Sequence, residues 1–191
     1  AGHNVHVYEK NATTGGRARQ LQTRAGYTFD MGPSWYWMPD IYEAFFNDFG
    51  YKTADFCSLK LLDPSFEIVL AGNQNLKIPS HFPDLCLLFE SIEKGSGRRL
   101  QDFMEQAKYN YQAGMKYMAY MPGLSVTEFA GAGLLKKALT LRIFSAFSKH
   151  VSRYFSDPRL IALMEFPVLF LGAMPKETPA MYSLMNYAGL K

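Results

Sequence analysis

The sequence predicts a mixed α/β (α+β) protein. Three observations lead there: short β-branched or aromatic runs in the first third, helical spacing of apolar residues over the remainder, and enough apolar content to form a core. Hydrophobic residues make up 48% and charged residues 19% of the 191 positions, which excludes a disordered chain. That length holds one domain or parts of two interleaved ones.

From Asn4 to Tyr8 apolar residues alternate and lead into Glu9, which predicts a strand. Asn11 to Gly16 reads as a polar loop closed by glycine. Arg17 to Leu21 and Tyr27 to Asp30 read as short extended pieces around Arg24-Ala25-Gly26. Pro39 opens an amphipathic helix to Phe49, with Ile41, Phe45 and Phe49 four apart and Gly50 closing it. Ser65 to Leu70 and Leu76 to Pro79, on either side of a Gly/Asn loop, predict a β-hairpin.

Beyond the hairpin the pattern is helical. Leu85, Leu88, Phe89 and Ile92 form one stripe, stopped at Gly95-Ser96-Gly97, and a second helix is predicted from Leu100 to about Tyr120. Ser125-Val126-Thr127-Glu128 has the form of a capping box, opening a helical stretch to about Phe155. Asp157-Pro158 and Thr178-Pro179 each pair a cap residue with a proline that favours the first helical turn. Pro167 ends or kinks the helix begun at Asp157.

Several functions find no support in the composition. A formal net charge of +3 is too small to argue for nucleic acid. Cys57 and Cys86 stand alone and the four histidines are scattered, so no metal site is expected and both thiols are expected to be buried, in a reducing cytoplasm. No apolar run is long enough to cross a bilayer; Phe166 to Pro175 is the longest without charge and contains two prolines. Membrane contact is therefore expected to be peripheral. Its candidate lies between Phe129 and Ser156, where Lys136, Lys137, Arg142, Lys149 and Arg153 alternate with apolar residues and no acid occurs. Such a segment suits an anionic membrane surface.

The chemistry-bearing residues cluster near the start. Glu9, a carboxylate at the end of an apolar strand before a glycine loop, has the form of the ribose-binding acid of a Rossmann-like fold. Gly15-Gly16-Arg17 combines a backbone that a phosphate can approach closely with a guanidinium to hold it. Gly32-Pro33, within Phe29-Asp30-Met31-Gly32-Pro33-Ser34, predicts a rigid turn of the kind that lies along a flat ring.

Taken together, Glu9-Lys10, Gly15-Gly16-Arg17-Ala18-Arg19 and Phe29 to Tyr36 resemble the start of bacterial-type phytoene desaturases and, more loosely, of the flavin amine oxidase superfamily. The likeness continues through Glu90 to Gly97 and Ala162 to Gly172 and covers essentially the whole chain. It implies an FAD cofactor, with Glu9 at the ribose, Gly15, Gly16 and Arg17 near the pyrophosphate, and Gly32 and Pro33 near the isoalloxazine. It also implies phytoene or a related carotenoid as substrate and a cytoplasmic, membrane-associated enzyme. A GxGxxG loop is absent, so a fragment is expected: a partial FAD-binding domain (1–60), a substrate-domain hairpin (61–80) and a helical, membrane-associating region (81–191). A carotenoid isomerase or a desaturase acting on a different isoprenoid would look nearly the same over this region; a flavin amine oxidase, which would call for a polar or anionic pocket, and an inactive truncated product are the other readings. The resemblance assigns no catalytic residue. Trp35, Tyr36 and Trp37 are candidates to line the substrate tunnel and equally candidates for the core; Glu128 is a candidate proton acceptor near substrate, though its place in the capping box explains it fully; the Met164 to Met174 segment suits the wall of a hydrocarbon channel, or the core.

Overall fold

The computed structural model describes residues 2–32, 36–70, 74–117, 119, 125 and 145–190. Within it the chain divides into two units, Ala1–Tyr51 and Lys52–Lys191. Pro33, Trp35, Glu128, Lys136, Lys137 and Arg142 lie outside the described residues.

The first unit is built on a small antiparallel hairpin. A 3-10 turn, Gly16–Ala18, leads into β1 (Gln20–Gln22), which pairs with β2 (Thr28–Asp30) in the register Gln20↔Asp30, Leu21↔Phe29, Gln22↔Thr28. Thr23 holds the connecting turn: its backbone N–H donates to the Tyr27 carbonyl at 2.8 Å and its Oγ1 accepts from the Tyr27 N–H at 3.1 Å. Helix α1 (Pro39–Asn47) starts at proline as expected, but no residue of it is buried. Its rings instead pack on one another, Phe45 lying edge-on to Phe46 and to Phe49 with centroids 5.5 and 5.2 Å apart.

The strand expected from Asn4 to Tyr8 does not form; those residues are irregular and exposed, with Val7 at 85% and Tyr8 at 92%. Alternation alone does not make a strand. The backbone groups of an extended segment need a neighbouring strand, and none of the described residues supplies one.

In the second unit, β3 (Phe66–Leu70) and β4 (Gln74–Ile78) form the expected hairpin, antiparallel with Ile68 opposite Leu76. Helices α2 (Phe82–Ile92), α3 (Ser96–Tyr117), α4 (Phe147–Val151), α5 (Pro158–Glu165) and α6 (Leu184–Leu190) follow. Leu100, Phe103, Met104 and Ala107 fall at the i, i+3, i+4, i+7 spacing of one helical face and are buried. Phe103 is central: its ring lies 5.3 Å from His150, 5.3 Å from Tyr154 and 6.2 Å from Phe155. Cys86 is buried in this core, where burial pushes its thiol up, whereas Cys57 is exposed, against the expectation of two buried thiols.

Two carboxylates lock α2 to its neighbours. Glu90 accepts the backbone N–H groups of Gly95 and Gly97 at 2.8 and 3.1 Å, which fixes the tight α2–α3 corner. A Cβ at Gly97 would sit 2.7 Å from the Cys86 carbonyl oxygen, so only glycine lets the two helices approach this closely. Glu93 accepts from Ser156 and Asp157 N–H at 3.0 and 2.9 Å and pairs with Arg99. Asp157 then caps α5 as expected, accepting from Arg159 N–H at 2.9 Å. At Thr178-Pro179 the start signal is read differently: Pro179 precedes a 3-10 turn, Ala180–Ser183, which runs into α6.

Candidate functional site

The candidate cofactor residues lie in the first unit, and the hairpin brings most of them together. β1–β2 pairing continues past the strands through the Met31 N–H, which donates to the Arg19 carbonyl at 3.0 Å. This sets Gly32 against the turn that carries Gly15, Gly16 and Arg17. The approach is close enough that a Cβ on Gly32 would meet the Arg17 carbonyl oxygen at 1.9 Å. The turn is equally tight on itself: Gly15 has φ +107°, and a Cβ there would lie 3.1 Å from Arg19 Cα. Both glycines are thus required by geometry.

Glu9 is exposed, ahead of this turn. Its Oε1 accepts from the backbone N–H and the side-chain amide of Asn11 at 2.8 and 2.7 Å. Both bonds fall on one oxygen, leaving Oε2 available to a ligand hydroxyl. Arg17 is exposed at the surface of the turn. No hydrogen bond joins the Glu9 carboxylate to Gly15, Gly16, Arg17 or Gly32 among the described residues.

Beside the turn, the hairpin borders a concave surface with a volume of about 640 Å³. Thr13, Arg19, the three β1 residues, Thr28 and Met31 line it. Arg17 does not. Arg17 is the residue directly after the glycines. The 3-10 turn at Gly16–Ala18 explains why the lining residue is Arg19: the chain becomes extended only at Arg19, with φ −70° and ψ 159°. A glycine pair followed by two arginines is the signal in the sequence, and which of them borders the concave surface depends on where the turn ends.

The second unit shows how the apolar Met164 to Met174 segment divides. Met164, Pro167 and Val168 are buried, while Leu169, Phe170, Leu171 and Met174 are exposed. This 3-10 segment, Phe166–Leu171, is anchored from beneath by Phe166 stacked on Phe66 (5.9 Å) and by the Tyr182 hydroxyl donating to the Pro167 carbonyl at 3.2 Å. The side chain of Glu165, at its head, makes no hydrogen bond or ion pair among the described residues, and burial pushes its carboxyl up.

The chain is similar to a carotenoid 3,4-desaturase of Haloarcula japonica, with 32% identity over 188 residues, 98% of this chain and 38% of that protein. It is likewise similar to the 4,4'-diapophytoene desaturases (4,4'-diaponeurosporene-forming) of Staphylococcus haemolyticus and Staphylococcus aureus strain Newman. Identities there are 29% and 28% over 184 residues, 96% of this chain and 36% of each relative. The chain therefore spans a little over a third of the length of these curated relatives. Flavin containing amine oxidoreductases match residues 1–187, a span that takes in the glycine turn, both hairpins and the helices, and the chain belongs to that family.

Proposed function

We propose that the protein is an FAD-dependent carotenoid desaturase and that phytoene is its substrate. The observation that carries this reading is the similarity of 96–98% of the chain to proteins named as carotenoid desaturases, one archaeal and two staphylococcal. The first unit's own residues fit the cofactor. The close approach of Gly32 to the turn, the glycines of that turn at Gly15-Gly16 and two arginines without ion pairs among the described residues suit a dinucleotide with a charged diphosphate.

In this reading Glu9 accepts the ribose hydroxyls, Gly15, Gly16 and Arg17 border the diphosphate, and Gly32 and Pro33 lie along the flavin ring. Bound FAD supplies the hydride acceptor for forming a C=C bond. The protein's contribution is to bind, orient and keep water out. A hydrocarbon offers no hydrogen bonds, so its recognition rests on shape and apolar burial. In the second unit, Leu169, Phe170 and Leu171, held outward on a buried support, are suited to such contact.

The test is to express the full-length protein with a supply of phytoene or of 4,4'-diapophytoene and to identify the pigments by absorption and mass. The expected outcome is a coloured polyene from phytoene that has lost hydrogen in pairs. Colour from 4,4'-diapophytoene alone would move the substrate and keep the reaction class. Hydrogen peroxide release with simple amines, and no change in either hydrocarbon, would favour an amine oxidase.

A further inference from the structure

We infer that the seam between α3 and α6 is a binding site for a single buried water, the shared hydrogen-bond partner of Asn110, Ser183 and Asn186. The inference is independent of the flavin reading above and rests on side chains of the second unit alone.

Asn110 lies on α3. Ser183 and Asn186 stand three positions apart where the 3-10 turn Ala180–Ser183 runs into α6, a spacing that puts both on one face. Asn110 Nδ2 donates to Ser183 Oγ at 2.9 Å, which joins that face to α3. Asn186 Nδ2 donates to the Met164 carbonyl, also at 2.9 Å, and so ties the seam to the end of α5, just ahead of the Phe166–Leu171 segment. Three polar functions are left over. Asn110 Oδ1 and Asn186 Oδ1 accept from no group, and the Ser183 hydroxyl proton meets no acceptor, among the described residues. The three residues are 2%, 0% and 1% exposed. Tyr111 and Tyr187 meet beside them with ring centroids 5.5 Å apart, and Leu184 lies 3.7 Å from where a Cβ on Gly114 would stand.

A buried carbonyl without a donor costs stability, and proteins supply the donor from the chain or from water. Reversing the amides does not remove the deficit. Turning Asn186 over sets its oxygen against the Met164 carbonyl; turning Asn110 over satisfies its oxygen from Ser183 but strands its N–H donors. Burial keeps any further polypeptide from reaching the three groups, so the partner is small. It must donate twice and accept once. Water does both, and a buried water makes about three hydrogen bonds. An ammonium or metal cation suits the two carbonyls but cannot accept the Ser183 proton, and its charge meets only neutral groups here.

The experiment is a crystal structure of the full-length protein at a resolution that shows ordered water, from crystals with and without a rubidium soak. The expected result is one density peak at about 2.5–3.0 Å from Asn110 Oδ1, Ser183 Oγ and Asn186 Oδ1, with no anomalous signal from rubidium. Rubidium at the peak identifies a cation site and overturns the water assignment. A protein donor on either amide oxygen, a peak that reaches only one of them, or no peak overturns it as well. In solution, oxygen-17 relaxation of the solvent counts long-lived internal waters. Asn110→Leu, which replaces one acceptor by an apolar side chain, is expected to lower that count by one, while Gln112→Leu, on the exposed face of α3, leaves it unchanged. An unchanged count in folded Asn110→Leu refutes the site. Should Asn110→Leu fail to fold, the wild-type density decides.

Discussion

At the scale of single residues, Gly32 carries the sharpest constraint in the first unit. The Arg17 carbonyl oxygen occupies the space where a side chain would begin, only 1.9 Å from the Cβ position. Gly32→Ala must push the turn and the hairpin apart, at a cost of about 1–3 kcal/mol typical of overpacking. The expected result is weaker flavin binding together with a lower melting temperature for flavin-free protein; an unchanged titration would show that the close approach is not needed. Glu165 carries a prediction of opposite sign. Burial disfavours its charged form, so its folded pKa stands above the ordinary value and the charge costs stability once pH exceeds that value. Glu165→Gln should therefore raise the melting temperature at neutral pH, and the gain should vanish in acid, where both side chains are neutral. The sequence shows an acid between Met164 and Phe166 but not that it lacks a side-chain partner among the described residues, since that depends on what the fold brings near.

Among the elements, the junction of α2, α3 and α5 depends on carboxylates that accept backbone N–H groups. Burial pushes the Glu93 carboxyl up, but the Asp157 and Ser156 N–H groups and Arg99 outweigh it and leave it below its ordinary value. The Gly95 and Gly97 N–H groups lower Glu90, and Arg159 lowers Asp157. Folded pKa values below the unfolded ones stabilise the protein fully above the ordinary carboxylate range. That stability is lost as pH falls through the folded values, so denaturation midpoints should be flat above about pH 5 and fall toward pH 3. Glu93→Ala, which strips Ser156, Asp157 and Arg99 of their acceptor, should cost about 1–3 kcal/mol by denaturant titration and flatten the acid limb. The individual elements here were legible in the sequence: Asp157-Pro158 announced α5, and Gly95 announced the corner, because caps and turns are set by local chemistry. The link between them was not, since Glu93 and Asp157 are brought together by the tertiary fold. The same reason accounts for the missing strand at Asn4 to Tyr8, whose alternation is local while a strand's stability comes from its neighbour.

For the molecule as a whole, the proposed desaturase reading requires a surface at which an insoluble hydrocarbon could meet the protein. No helix among the described residues is long and apolar enough to cross a membrane. The sequence places five basic and no acidic residues between Phe129 and Ser156; of these, Lys149 and Arg153 are described, and both are exposed. Their apolar neighbours Phe147, Val151 and Phe155 are buried in the core of the second unit. At this end the segment is therefore a core helix with a charged outer face, and deep insertion here would require pulling those side chains out. Surface attraction needs no such change. Each Lys or Arg near an anionic bilayer contributes about 1 kcal/mol, so five give at most roughly 5, reduced because they cannot all face one plane. We therefore predict that the full-length protein floats with liposomes containing anionic lipid, and that raised salt weakens this through screening. Lys136→Glu/Lys137→Glu/Arg142→Glu should reduce flotation, while Lys149→Glu/Arg153→Glu separates the contribution of the described face. If both variants float like wild type at low and high salt, the contact lies elsewhere; if salt has no effect but flotation persists, it is apolar, and the exposed Leu169, Phe170 and Leu171 become the residues to change next.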